Sequence, residues 1–182
     1  MPINPDLIRK VFEESIDLFF QHEVQEVLEG VNERNNCGRL SIYLQKAALD
    51  NGLESYFADT EYNRKQNGEV KTILDSHMRV ISVNCDLLLH SRGQIIAEDN
   101  LIAIEVKKYN APDREKNKDK ERLCALTKKS YDDIWSNDGV TQPEHVCGYT
   151  LGVYVEFDRV SRVCLFEYYR QGAIFDRASR MF

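Results

Sequence analysis

The stretch DLLLHSRGQIIAEDNLIAIEVKK, residues 86 to 108, places Asp86 just before one apolar run and puts Glu105 and Lys107 inside the end of the next. A strand core has little use for three charges in this arrangement. They form either the solvated end of a hairpin or a place built to hold something charged. Paired residues in an antiparallel hairpin have numbers that sum to a constant. A turn centred between Ile95 and Ile96 therefore sets Asp86 opposite Glu105. Side chains alternate along a strand, so Glu105 and Lys107 project to the same face. Two carboxylates and an ammonium then converge. Close carboxylates repel unless one is protonated or a cation sits between them. A hard dication such as Mg²⁺, or Mn²⁺ in its place, meets that need with one or two protein carboxylates and retained waters. It lowers the pKa of a bound water to make a nucleophile. A neighbouring lysine can orient that water and offset the charge of an attacked phosphate.

The elements that must position these residues are legible from periodicity. Asn4-Pro5-Asp6 reads as a helix start. Ile8, Val11, Phe12, Ile16, Phe19 and Phe20 follow at helical spacing, and a shorter helical piece over 22–29 ends at Gly30. A second helix is expected from Glu33 to about Asp50, stopping at Asn51-Gly52, with Cys37, Leu40, Tyr43, Leu44 and Ala47 inward. Strands are expected over 55–64, 78–90 and 101–109, with 65–77 as a loop or hairpin tip. NAPDREKN reads as a breaker. Residues 118–135 read as a helix with Leu123, Leu126 and Ile134 inward, and strands are expected over 146–157 and 162–169. A strand-helix-strand crossover beside antiparallel hairpins implies an α/β fold, a mixed sheet with helices packed on it. The 182 residues fit a single domain, with 1–30 as an acidic helical extension and the core over 33–169.

Composition sets limits. At 42% hydrophobic and 30% charged residues the chain reads as globular, and no apolar run approaches the roughly 20 residues of a membrane span. No membrane partner is expected. The N-terminus carries acids in its apolar pattern and has no cleavage site of a secretory signal. Five scattered cysteines without a CxxC pair read as reduced thiols in a cytoplasmic protein. The net charge of -6 argues against simple coating of nucleic acid, but it is uneven. Residues 1–30 hold seven acids against two basic residues, and residues 105–130 hold nine Lys or Arg against five acids. That basic strip is what a phosphate backbone needs, and it is also what a solvated helix face looks like.

Asp86 followed by Glu105-Val106-Lys107 at the end of an apolar strand resembles the PD-(D/E)XK, or restriction-endonuclease-like, nuclease superfamily. The longer pattern is similar to small uncharacterised bacterial members. It runs through Glu33-Arg34, Arg39-Leu40, Tyr43-Leu44, Glu61-Tyr62-Asn63-Arg64, Asp86 to Gly93 and Leu101 to Lys108. It departs at Cys85, where the motif has proline; many members lack that proline, which supplies no metal ligand. The resemblance implies an αβββαβ core with an extra N-terminal helix. It implies Mg²⁺-dependent hydrolysis of nucleic acid, DNA before RNA, by in-line attack of a metal-activated water that leaves a 5′-phosphate. Asp86 and Glu105 would hold the metal, with the Val106 carbonyl as a further ligand. Lys107 would position the water, and Glu33 would hold a second metal or a water. Arg64, Lys108, Lys118 and Arg122 are the candidate nucleic-acid contacts, and a homodimer is an arrangement the family also uses.

Blander readings stand beside these. Glu33 suits a helix start because of the dipole. Glu61 either joins the acidic cluster or lies on an exposed strand face with Asp59, and Arg64 meets phosphate or pairs with Glu61. His90 reads as solvent-facing or capping rather than catalytic. His22, His77 and His145 lack ligand spacing, and Trp135 reads as core or rim. The alternative function is a catalytically silent module of the nuclease fold that binds protein or nucleic acid. Its acidic first helix would then dock a partner or cover the site.

Overall fold

A computed structural model describes residues 3–62, 84–129 and 147–182, together with the backbone of 72–74 and 80–82. It begins with helix α1 (Pro5–Glu29), capped by the Asn4 side chain accepting from the Asp6 N–H at 2.9 Å and closed by Gly30 at φ 80°. The expected short piece over 22–29 is not separate. No breaker interrupts 20–24, so one helix of 25 residues runs through. Helix α2 (Glu33–Asp50) follows, its N-cap Asn32 accepting from the Asn35 N–H at 2.8 Å, with the expected bounds.

Eight strands are described: β1 (Phe57–Thr60), β2 (Thr72–Leu74), β3 (Val80–Ser82), β4 (Leu87–His90), β5 (Asn100–Lys108), β6 (Leu151–Asp158), β7 (Val163–Arg170) and β8 (Ala173–Met181). Helix α3 (Asp113–Thr127) joins β5 to β6. Six strands form one mixed sheet in the order β1-β4-β5-β6-β7-β8, and β2 and β3 pair apart from it. Only the β5–β6 pairing is parallel, which is the one place where a crossover helix is needed. β5 is buried from Asn100 to Val106, as suits a central strand covered on both faces.

Several expected boundaries move. The expected strand over 78–90 is two strands with Asn84, Cys85 and Asp86 outside regular pairing. The expected first strand keeps only four residues. Helix α3 starts at Asp113, five residues before the expected 118. Pro112 sits at its N-cap, and Asp113 and Glu115 occupy the first turn. The proline read as a breaker therefore starts the helix. Ile134, Trp135, His77 and His145 lie outside the described residues. Strand β8 carries no alternating apolar pattern and was not expected. Its signal is the turn at Gln171 and Gly172, both at positive φ (53° and 80°), which suits a tight hairpin.

Helices α1 and α2 cover one face of the sheet and α3 the other. The first layer joins Phe12, Phe19 and Leu44 to Ile104, Val106, Val155, Phe157 and Phe166. The second gathers Leu88, Ala103, Leu123, Leu126, Tyr154 and Tyr169. Gly152 lets α3 lie close, because a Cβ there would stand 2.9 Å from Thr127 Cγ2 and 3.1 Å from Tyr169 Cβ.

The acidic first helix is thus part of the core rather than an appendage. Phe19 is fully buried and stacks on Phe157 at 5.8 Å. Phe19→Ala is expected to cost about 3–5 kcal/mol in urea denaturation. A loss under about 1 kcal/mol would show that α1 contributes little to the core.

Candidate active site

The hairpin register sets Leu87 against Ile104, Leu88 against Ala103 and Leu89 against Ile102, and a bulge follows at His90. Asp86 stands one residue beyond this ladder, so the same register carries it to the place opposite Glu105. The Val106 N–H fixes it there, donating to Asp86 Oδ2 at 2.8 Å. Cys85, where the resembled pattern has proline, is fully buried, and its thiol donates to the Ile104 carbonyl at 3.2 Å. Asp86, Glu105 and Lys107 share the sheet face that α3 covers.

Glu105 is 1% exposed in the central strand. Its Oε1 accepts from Arg122 Nη1 at 2.5 Å, and its Oε2 is buried with no hydrogen-bond partner. Burial pushes its carboxyl pKa well above the ordinary range; Arg122 opposes the shift, and Asp86 and Asp119 add to it. Burial also raises Asp86, against the Val106 N–H and the charge of Lys107. Lys107 Nζ lies 3.0 Å from Asp119 Oδ2 and 3.4 Å from Glu33 Oε2. Burial disfavours its ammonium, but the hydrogen bond and charge of Asp119, with Asp86 and Glu33, prevail and raise its pKa. Glu33 also accepts from the Lys108 N–H at 3.0 Å, tying the start of α2 to the end of β5.

Asp119 was not singled out in the sequence. It lies between Lys118 and Lys120 and reads as one charge of a solvated helix. Its position relative to Leu123 and Leu126, four and seven residues on, marks it as inward-facing. It accepts from Arg122 Nη1 at 3.1 Å and so joins the two cations of the site. Four carboxylates (Glu33, Asp86, Glu105, Asp119) face two cations (Lys107, Arg122), an excess of two negative charges.

The other expected residues are placed differently. Arg122 points inward, onto Glu105. Lys108 Nζ donates to the Gly30 carbonyl at 3.1 Å, and Lys118 is exposed. Arg64 lies outside the described residues. Lys116 and Lys120, also part of the expected basic strip, pair with Glu156 at 3.1 Å and Glu167 at 3.0 Å on the sheet. Glu61 flanks a cleft of about 160 Å³ with Glu33, Arg34, Cys37, Thr60 and Asp86, and its carboxylate is held by Arg34 at 2.5 Å. Its backbone is left-handed at φ 51°, beyond the end of β1. Asp59 does not join the cluster: Arg92 clamps it with two bonds of 2.6 and 2.7 Å. His90, expected to face solvent or cap, is fully buried, 3.1 Å from Asp59 and with its ring 4.6 Å from that of Tyr62.

A larger cavity, about 470 Å³, lies at the other end of β5 beside Asn100, Tyr149 and Arg170. Size therefore does not locate the acidic cluster. Among the described residues no three His, Cys, Asp or Glu side chains form a preformed metal cage. A hard dication that keeps its waters needs less than that. Asp86, the unpartnered Oε2 of Glu105 and the Val106 carbonyl are oxygen donors of the right kind, and a dication would favour the ionised forms of the two acids whose pKa burial raises. Among the described residues no helix is long and apolar enough to cross a membrane. Comparison with protein-family models, with curated proteins and with solved structures finds no match.

Asp59 offers a test of its structural role. Burial raises its pKa, but hydrogen bonds from His90 and Arg92 overcome this and hold it well below the usual range. A depressed carboxylate stabilises the fold above its unfolded pKa, and this stabilisation is lost as the pH falls through the folded value. Asp59→Asn is expected to cost about 1–3 kcal/mol at pH 7. The difference from wild type should narrow in urea denaturation carried out below about pH 4. A gap that does not narrow would remove the carboxylate's charge from the explanation.

Proposed function

We propose that the chain is a Mg²⁺-dependent phosphodiesterase of the PD-(D/E)XK kind, acting on nucleic acid and on DNA before RNA. One observation carries this reading. The β4–β5 register brings Asp86 and Glu105 together with Lys107 on one face, and Glu105 keeps a buried oxygen without a partner. The element order supports it too: α2, β1, β4, β5, α3 and β6 run helix, three strands, helix, strand, with the β2–β3 pair inserted.

Asp86, Glu105 and the Val106 carbonyl would hold the dication. When bound, the ion supplies a water of lowered pKa and neutralises charge on the phosphate. The chain's own groups do the rest. Lys107 is kept as an ammonium by Asp119, so it donates rather than accepts a proton. It orients the attacking water and meets the charge that grows on the phosphate oxygens. Glu33 anchors the end of β5 through the Lys108 N–H and steadies Lys107 from the side opposite Asp119. The water would lose a proton to solvent, as its lowered pKa allows, and attack phosphorus in line; the P–O3′ bond would break opposite it and the 3′ oxygen would take up a proton from solvent, leaving a 3′-hydroxyl and a 5′-phosphate.

A second reading, the silent nuclease-fold module, is favoured by one feature: Arg122 and Lys107 already engage three of the four acids. The test is cleavage of linear, circular and single-stranded DNA, and of RNA, with Mg²⁺ or Mn²⁺ against EDTA. Metal-dependent cutting is expected, and Asp86→Ala and Lys107→Ala should each reduce it at least about a hundredfold while the fold persists. Undiminished cutting by Lys107→Ala would remove that residue's role. No cutting of any substrate would favour the silent module.

A further inference from the structure

We infer that Arg122 is a displaceable counter-cation of this site. It holds Glu105 in the resting chain, yields that carboxylate to the dication, and turns to a phosphate oxygen of the bound nucleic acid. The inference rests on the phosphodiesterase reading and adds to it a residue that switches between two anions.

The geometry of the guanidinium carries the argument. Arg122 reaches both of its acids through a single nitrogen, Nη1, at 2.5 Å from Glu105 and 3.1 Å from Asp119. A guanidinium built only to neutralise a buried carboxylate binds it as a fork, with two parallel bonds. Among the described residues Nε and Nη2 donate no hydrogen bond, and neither is among the buried polar atoms left without a partner. The side chain is 20% exposed, whereas that of Glu105 is 1% exposed, so the cation lies between a buried anion and the solvent. The N–H groups of Nε and Nη2 are the donors that an oxyanion would take.

The surrounding charges make the exchange feasible. Glu105 in the central strand cannot be left as a lone buried anion. Arg122 or a dication can satisfy it, and both together exceed what one buried carboxylate needs. Asp119 is not stranded when Arg122 turns away, because Lys107 Nζ remains 3.0 Å from its other oxygen. Asp119 is thus a positioning residue that holds Lys107 whether or not Arg122 is present. Lys116 and Lys120, on the same helix, pair with carboxylates of β6 and β7 outside the cluster and are not candidates for the exchange.

The test reads metal binding and the arginine itself, not cleavage. In the full chain labelled with ¹⁵N, the Nε–Hε resonance of Arg122, assigned through Arg122→Lys, is followed as Mg²⁺ is added, first alone and then with a short DNA duplex. Calorimetry of Mn²⁺ binding without DNA compares wild type with Arg122→Gln. The resonance should shift with Mg²⁺ and shift again with the duplex. Arg122→Gln should bind Mn²⁺ at least about tenfold more tightly, because a competing cation is gone. An unmoved resonance at metal saturation, unchanged or weaker Mn²⁺ binding in Arg122→Gln, or no binding by either protein would overturn the inference. Should Arg122→Gln not fold, the wild-type titration decides. The two readings fail separately. A chain that moves Arg122 on binding metal but cuts nothing loses the phosphodiesterase reading alone, and one that cuts with Arg122 unmoved loses the counter-cation alone.

Discussion

A carboxylate in the central strand of a sheet has to be neutralised where it lies, and Glu105 sets that demand here. It is buried between α3 and the sheet, so its neutralising groups must come from the adjacent chain. Arg122 on α3 supplies the cation; Asp119, also on α3, and Asp86 at the neighbouring strand end add negative charge beside it, and Lys107, two residues along the same strand, answers Asp119. The parallel β5–β6 pairing requires the α3 crossover, and the crossover brings the guanidinium over Glu105. Topology and charge compensation are therefore one constraint. Moving α3 by a single turn would leave Glu105 without its cation.

The same reasoning explains the rest of that face. Tyr154 and Tyr169 donate to Glu156 and Glu167 at 2.9 and 2.6 Å, and these acids take Lys116 and Lys120. Helix α3 is held partly by Leu123 and Leu126 and partly by cations docked on acids of three adjacent strands. Partly buried ion pairs of this sort add little net stability over apolar packing, but they fix which way the helix faces and at what register. Helices α1 and α2, by contrast, bury a broad apolar and aromatic layer on the opposite face, with ion pairs such as Arg9–Asp176 and Glu33–Lys107 at its margins. The two sides of one sheet follow different physics.

This difference decides how much the sequence revealed. Apolar periodicity exposed α2, the start of α1 and the strands β5, β6 and β7, because burial on that face is written in hydrophobic residues. The Asp86–Glu105 pairing was legible because the chain between two apolar runs is short and a hairpin register is an arithmetic constraint. The inward placement of Arg122 and Asp119 is not legible in the sequence because inward-facing charges have the same letters as solvated ones; only their spacing to Leu123 and Leu126 separates them. Strand β8 was missed because an edge strand exposed along most of its length needs no alternation. The burial of His90 is not legible because it depends on Asp59 and Tyr62, neither of which is near it in sequence.

The charge arrangement also limits how a polyanion could approach. The cleft beside Asp86 is lined by Glu33, Glu61 and Asp86, and among the described residues its one basic side chain, Arg34, is engaged by Glu61. On a chain of net charge -6, phosphate meets a repulsive surface at that point. The basic strip over 105–130 offers less relief than its composition suggests, because Lys107, Lys116, Lys120 and Arg122 are committed to acids. Cations held in this way contribute to binding only when something else takes over their anions. On the phosphodiesterase reading, affinity for nucleic acid at this site would be coupled to cation exchange within the acidic cluster.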